Sequence, residues 1–467
     1  MIQNTLDQIA RMCGGKLKDA QHGARIVRGV NTNSRMSMPG SLFVPIVGER
    51  FDGHAYVEQA LQDGAMAAFW QADHENAPED APLIVVKNTL KALQKLAAAY
   101  RQEHPLKVVA VTGSSGKTTT KDLISSVLAQ QYEVHKTDGN FNNHLGLPLT
   151  ILAMPETTEV LVVELGMSGR GEIALLSQLA EPDVAVVTNI GDAHLLQLGS
   201  REEIARAKLE ITCALPYAGV LICDGDEPLI DQVLAEAETV RPEEMDIVRY
   251  GHGDNCSLRP QQVTYHEDGM SFTLANAASD RTYRLPILGE HNVLNALAAI
   301  AVGRRFGIKE ERIAQGLEQA RISGMRFERF QTTGGWTILN DAYNANPHAM
   351  KAALHVLANI ACVGKRIAVL GDMLELGPTE AELHEEVGTS ITPDKVDLLL
   401  TYGRLGRDIA RGARQHYPEN NVYSFDDKEE LKARLLSEVS AGDVVLIKAS
   451  RGMKIEEIVN EWISVEH

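Results

Sequence analysis

The stretch Val108-Val-Ala-Val-Thr-Gly-Ser-Ser-Gly-Lys-Thr-Thr-Thr120 decides how the middle of this chain is built. Its apolar, β-branched start predicts a buried strand, Gly113-Ser-Ser-Gly116 predicts a tight loop, and a helical pattern follows from Lys121. Strand, glycine loop and helix N-terminus together make a phosphate site. Loop N–H groups and the helix dipole face the anion, Lys117 adds a point charge, and the Thr118 hydroxyl can ligate Mg²⁺. Gly113, Ser114, Ser115, Gly116, Lys117, Thr118 and Thr119 are therefore the candidate ATP-binding segment. The spacing departs from G-x-x-x-x-G-K-[ST]: Val111 stands where that pattern has glycine, and the first glycine comes two residues late. Short glycine-rich matches also occur in ordinary turns, and it is the strand before and the helix after that assign this one to phosphate.

At 467 residues the chain exceeds one core, and roughly 150 residues per domain predicts about three domains. A hydrophobic content of 44% with 23% charged residues is that of a soluble globular protein. A formal net charge of −18 argues against a nucleic-acid partner, which requires a basic face. Five scattered cysteines without a C-x-x-C pair read as reduced thiols, not as a disulfide framework or zinc site. The N-terminal residues lack a basic region followed by an apolar core, and no apolar run approaches the ~20 residues of a membrane helix. A cytoplasmic, monomeric protein without membrane insertion is expected.

The predicted class is α/β with three domains. Residues 1–103 read as a small α/β domain, with strands Ser41–Val47 and Pro82–Val86 and helices over 57–63 and 90–100. Arg101-Gln-Glu-His-Pro105 reads as a polar linker. Residues 104–322 open with the glycine loop and carry the continuous apolar runs Val160–Glu164 and Val184–Thr188 of a mostly parallel, P-loop-type sheet. Alternation over 245–288 predicts a small antiparallel sheet, and a largely apolar helix follows over 292–306. In 323–467, strands Ile367–Leu370, Leu398–Thr401 and Val444–Lys448 alternate with helical stretches, the rhythm of a Rossmann-like doubly wound sheet.

Glu164 ends a parallel strand, where ligands of such sheets bind, and Mg²⁺ at a phosphate site needs hard oxygen donors beyond Thr118. A carboxylate there can also be simply a solvated strand end. His194 leaves the same predicted sheet edge; it is either a packed residue or one close to a metal. Lys208 is the most unusual residue. On a helix over 201–212 it shares a face with Ile204 and Ile211, about 60° or less apart. It either snorkels to water or is buried with a lowered pKa, and a neutral amine can add CO₂ to give an anionic carbamate able to hold a second Mg²⁺. Arg326, in Ser323-Gly-Met-Arg326, follows the joint before the third region and is placed to reach a phosphate when domains close. Asp341 and Asn346 lie in a polar turn after a strand. Hinge and turn roles remain open for both segments.

Taken together, Gly113-Ser-Ser-Gly-Lys-Thr-Thr-Thr-Lys121, Gly139-Asn-Phe-Asn-Asn143-x-x-Gly146-x-Pro148, Glu164-Leu-Gly-Met-Ser, Asn189-x-x-x-Ala-His194, Ala207-Lys208-x-Glu210, Gly289-x-His-Asn292-x-x-Asn295-x-x-Ala-Ala299 and Asp341-x-Tyr-Asn-x-Asn346-Pro347 resemble the ATP-dependent Mur ligases of peptidoglycan synthesis. Order and approximate spacing agree across all three regions. The Ser-Ser loop, Asn-Ala-Asn-Pro347 and Leu370-Gly-Asp-Met-Leu-Glu-Leu-Gly377 look most like the branch that adds D-alanyl-D-alanine to UDP-N-acetylmuramoyl-tripeptide. The resemblance implies an ATP-dependent ligase with those two substrates and Mg²⁺. Residues 1–103 would bind the UDP-substrate, 104–322 ATP, and 323–467 the incoming dipeptide and part of ATP. It implies Lys117 on the β/γ-phosphates, Thr118 and Glu164 on one Mg²⁺, and His194 with carbamylated Lys208 serving a second. Asn295 and Asn346 would flank adenine, with Asp341 near the ribose and Arg326 on the phosphates. Ser34, Arg35, Asn142 and Asn143 would hold the UDP-muramoyl substrate, and Asp372 and Glu375 the dipeptide. Asn33 stands where the family often has Asp or Thr before Ser-Arg. The alternative within the family is a third-amino-acid-adding Mur-type ligase; readings from other classes are a nucleotide switch or regulatory ATPase, for which no Asn-Lys-x-Asp guanine reader is found, and a P-loop kinase.

Overall fold

The central element is a six-stranded sheet, all parallel, in the order Met245–Tyr250, Gly219–Asp224, Val184–Val187, Lys107–Thr112, Val160–Glu164, Val134–Lys136. The computed structural model describes residues 1–49, 51–275 and 281–463. The apolar runs are continuous because both sheet faces are buried, and side chains alternate between two cores. Val109 and Val111 join Leu123, Ile124 and the helix Glu290–Arg305 on one face. Val108 and Ala110 join Leu147, Ile151 and Leu176 on the other.

That second core also takes in Leu6, Ile9, Leu93 and Leu96 from the first region, so its helix Thr89–Gln102 packs directly on the central layer. The segment expected as a linker is pinned accordingly. Arg101 donates to the carbonyl oxygens of Ala180 at 3.0 Å and Glu181 at 2.8 Å. A polar run reads as a tether in sequence, but here its charge is spent on the C-terminal carbonyls of a neighbouring helix.

Residues 245–288 divide between two sheets. Met245–Tyr250 is the edge of the central parallel sheet, while Pro260–His266, Gly269–Leu274 and Tyr283–Leu285 form the antiparallel sheet. Residues 276–280, inside the predicted antiparallel region, lie outside the described ones. The predicted helix over 201–212 is α-helical for Arg201–Leu209 and tightens to a 3₁₀ turn over Glu210–Ala214.

The third region holds five parallel strands with one antiparallel edge: Glu328–Gln331, Thr337–Asn340, Val444–Lys448, Arg366–Gly371, Leu398–Tyr402, Val422–Phe425. The last strand in sequence, Val444–Lys448, lies between the second and third, so connections diverge there and open a crevice at the strand C-termini. Asp341 and Lys448 sit at that crevice. Among the described residues no helix is long and apolar enough to cross a membrane.

Candidate active site

Three central strands end side by side and deliver the site. Parallel register sets Glu164 against Val111 and Val187 against Thr112, so Glu164, the glycine loop and Thr188 emerge together. Val111 lies inside the strand, which explains the missing first glycine: the loop begins only after Thr112. Gly113 has φ +151° and a Cβ there would lie 1.8 Å from the Thr188 hydroxyl. Gly116 has φ +78°, and its Cβ would meet the Asn295 amide at 2.6 Å. Both positions exclude side chains on conformational and steric grounds. The strand-end segment then laces the loop. Ser115 N–H donates to Asn189 Oδ1 at 2.9 Å, and Gly191 N–H donates to Ser114 Oγ at 2.9 Å.

The loop opens into a cleft of about 490 Å³ lined by residues of the central and third regions. Thr118 donates its hydroxyl to Glu164 Oε2 at 2.7 Å, and Asn142 donates to Glu164 Oε1 at 2.8 Å. Arg326 crosses from the third region to donate to Thr118 Oγ1 at 2.8 Å, with its guanidinium 3.9 Å over the Tyr343 ring. Lys117 donates to the Gly113 carbonyl at 2.8 Å; burial lowers its pKa, Arg326 adds to that, and Glu164 opposes it.

Lys208 is 1% exposed between the fully buried Ile204 and Ile211, so it does not snorkel. Its ammonium has no hydrogen bond or ion pair among the described residues, and burial, then Lys117, drives its pKa well below the usual value. Burial therefore favours its neutral form. His194 lines the cleft with φ +70° and is pushed down to about 4 by burial, Lys208 and Lys117. Its buried Nδ1 has no hydrogen-bond partner among the described residues; the Glu375 carboxylate, 58% exposed, lies 3.4 Å away. Glu375 itself has φ +65° and reaches this point from the third region.

Asn346 caps the helix Pro347–Asn359 by accepting from Ala349 N–H and donates its amide to Ser115 Oγ at 2.9 Å. Asn295 donates to Asn292 at 2.9 Å. Both asparagines therefore border the glycine loop. Asp341 is buried and paired with Lys448 at 2.6 Å; desolvation raises its pKa against the pull of that lysine. Asp372 is not part of the cleft lining. Its carboxylate accepts the Gly406 N–H at 2.7 Å, and burial raises its pKa. Asn143 lines the cleft and accepts from Leu145 and Gly146 N–H groups, while Ser34 and Arg35 lie apart in a first-region turn. Asn33 builds that turn by accepting the Arg35 N–H at 3.0 Å.

Matches to known families cover the same architecture. Residues 26–101 match the profile described as the Mur ligase family catalytic domain, 111–303 the Mur ligase middle domain, and 325–451 the Mur ligase glutamate ligase domain. The UDP-N-acetylmuramoyl-tripeptide–D-alanyl-D-alanine ligase of Bacillus subtilis is 49% identical over 99% of both chains. The chain belongs to the Mur ligase family. Among solved structures, MurF from Acinetobacter baumannii superposes with a TM-score of 0.89 at 30% identity over 99% of both chains. MurF from Thermotoga maritima in complex with ADP gives 0.81 at 31% identity over 94% of this chain and 97% of that one.

In this Mur ligase the donor set suits divalent cations. Thr118 and Glu164 put a hydroxyl and a carboxylate 2.7 Å apart, hard oxygens of the kind Mg²⁺ takes, and His194 offers a neutral, unpartnered ring nitrogen. Sequence reading assigned no chemistry to Lys448, Tyr343 or Asn189. Lys448 had a signal: a lysine ending the apolar run Val444–Lys448 must find a partner once that strand is buried, and Asp341 is the partner. Tyr343 and Asn189 lay inside family motifs, but only the packing shows what they touch.

Proposed function

We propose that this chain joins D-alanyl-D-alanine to UDP-N-acetylmuramoyl-tripeptide, consuming ATP and passing through an acyl phosphate. The tripeptide carboxylate oxygen attacks the γ-phosphorus of ATP and releases ADP. The dipeptide amine then attacks the acyl carbon, and inorganic phosphate leaves as the amide forms. The observation that carries this reading is the convergence in one cleft of the glycine loop, the Thr118–Glu164 pair, His194, and Arg326 arriving from another region. Whole-length similarity to UDP-N-acetylmuramoyl-tripeptide–D-alanyl-D-alanine ligases supports the choice of substrates.

In this reading the glycine loop N–H groups and Lys117 hold the β- and γ-phosphates, and Arg326 neutralises charge on the transferring group. Asn295 and Asn346 border the base, Asp341 the ribose, and Asp224, raised to about 6 chiefly by burial, lines the same cleft. Thr118 and Glu164 would hold one Mg²⁺ and His194 with Lys208 a second; the ions would supply charge neutralisation at the phosphates. In its neutral form, which burial favours, the Lys208 amine can add CO₂ to form N-carboxylysine with release of one proton, converting an apolar-packed base into an anionic donor. Ser34, Arg35, Asn142 and Asn143 would take the UDP-muramoyl substrate, and the 372–377 loop the dipeptide. Approach of the third region would shield the acyl phosphate from water. The reading places a monomer in the cytoplasm, where both substrates are soluble.

The test is phosphate release with each substrate omitted in turn, plus hydroxylamine trapping. Release that requires both substrates, and a hydroxamate formed from UDP-N-acetylmuramoyl-tripeptide, ATP and hydroxylamine, are expected. A stable phosphorylated product, as from a kinase, or phosphate release from ATP alone, as from a regulatory ATPase, would refute it.

A further inference from the structure

Arg326 is delivered to the phosphate site by a segment with no regular structure. Residues 320–327 join the helix Glu310–Glu318 to the strand Glu328–Gln331. Met325 at φ +58° and Phe327 at φ +53° flank the arginine, both left-handed without being glycine, a cost of about 1–2 kcal/mol each. Such a conformation persists only where the surroundings hold it. Downstream the hold is strand pairing, Glu328 opposite Asn340. Upstream it is one buried carboxylate.

Asp122 lies on the glycine-loop helix Lys117–Leu128, one turn after Thr118 and on the same face. Its Oδ2 accepts the Ser323 N–H at 2.9 Å and the Ser323 hydroxyl at 2.8 Å. Its Oδ1 lies 2.6 Å from Lys136 Nζ and 3.3 Å from Lys121 Nζ. Burial alone would raise its pKa, but Lys121, Lys136 and Ser323 together hold it below the ordinary value. Residues four apart on the helix, 118 and 122, therefore grip residues three apart on the joint, 326 and 323.

We propose that Asp122 and Ser323 form a pin between the two regions and act as positioning residues for Arg326, fixing its guanidinium at the phosphate end of the cleft. The pin rests on the reading that Arg326 meets the phosphates of ATP. It accounts for an anionic side chain buried beneath an anion-binding loop: Asp122 is compensated by two lysines and spends its remaining acceptor on the joint. The third region pivots at Ser323, and whatever moves the glycine-loop helix moves Arg326 with it.

The test is a double-mutant cycle read by calorimetric binding of a non-hydrolysable ATP analogue with Mg²⁺ and by steady-state kinetics. Ser323→Ala removes one of the two hydrogen bonds to a charged acceptor and should weaken analogue binding and raise the ATP KM by about 5- to 20-fold. The unfolding midpoint should fall only slightly, as expected for one lost hydrogen bond, and Ser323→Thr should restore wild-type values. In an Arg326→Ala background, Ser323→Ala should add nothing further, because a pin that acts through Arg326 has nothing left to position. Asp122→Asn should show the same non-additivity where it folds. Equal losses in both backgrounds would make Ser323 merely structural and overturn the proposal, as would unchanged nucleotide binding in Ser323→Ala. If Arg326→Ala itself left nucleotide binding and turnover intact, the phosphate role of Arg326 would fall and the pin with it.

Discussion

Lys208→Met should make the protein more stable and less active at once. The wild-type amine is buried between Ile204 and Ile211 with no compensating partner among the described residues, and its pKa is driven far down by burial and by Lys117. The sign follows from proton linkage. Between the folded and unfolded pKa values of this lysine the unfolded chain binds more protons, so its burial is least costly at high pH and opposes folding increasingly as pH falls. In that window wild-type stability should rise by up to about 1.4 kcal/mol per pH unit, a slope the methionine variant lacks. Methionine has similar reach, so packing against Ile204 and Ile211 is kept. Urea unfolding at pH 7, 8 and 9 in CO₂-free buffer reads this directly. The variant should be more stable at pH 7, and the two proteins should converge toward pH 9. Added bicarbonate should stabilise the wild type alone if the carbamate forms. Turnover should fall about 10²- to 10³-fold in the variant, the size of losing one preorganised electrostatic group. In Lys208→Ala, part of that loss should return with a small carboxylic acid. A methionine variant of lower stability, or parallel pH dependences, would refute the reasoning that burial of this amine lowers its pKa.

Four further outcomes are expected. Lys448→Met leaves Asp341 buried without its 2.6 Å partner and should cost about 3–5 kcal/mol in denaturant unfolding, most of it recovered on adding Asp341→Asn. Gly116→Ala puts a Cβ 2.6 Å from Asn295 Oδ1 at φ +78°, and calorimetry should show ATP affinity falling at least roughly tenfold with the fold intact. His194, held at about 4, is neutral from pH 6 to 9, so the kcat/KM profile should carry no inflection of its own there; an inflection that vanishes in His194→Gln would contradict this. Glu375→Gln removes an exposed carboxylate facing His194 and should raise the dipeptide KM while hydroxylamine trapping of the acyl phosphate continues unchanged.

The strands, the doubly wound third region and the phosphate loop were legible because their signals are local. A continuous, β-branched run such as Val160–Glu164 reads as a strand buried on both faces, and its last residue stands at the end of the sheet where ligands bind. What was not legible lies where partners are distant. Arg101–Pro105 reads as a linker, and the carbonyls of Ala180 and Glu181 that hold Arg101 lie some 80 residues away. Met245–Tyr250 looked antiparallel because alternation describes an exposed edge strand of either kind.

The sequence by itself determined that a shortened glycine loop joins a buried strand to a helix, and that a lysine falls inside an apolar helical stripe. Local chemistry suffices for both, since backbone conformation and side-chain periodicity depend on near neighbours. Only the tertiary structure decided what these residues do for one another. It buried Lys208 and so lowered its pKa, left His194 Nδ1 without a hydrogen-bond partner among the described residues, and brought Arg326 208 residues along the chain to Thr118. Charge state and reach are properties of the assembled surroundings, because burial and opposing charges fix a pKa and packing fixes where a guanidinium rests.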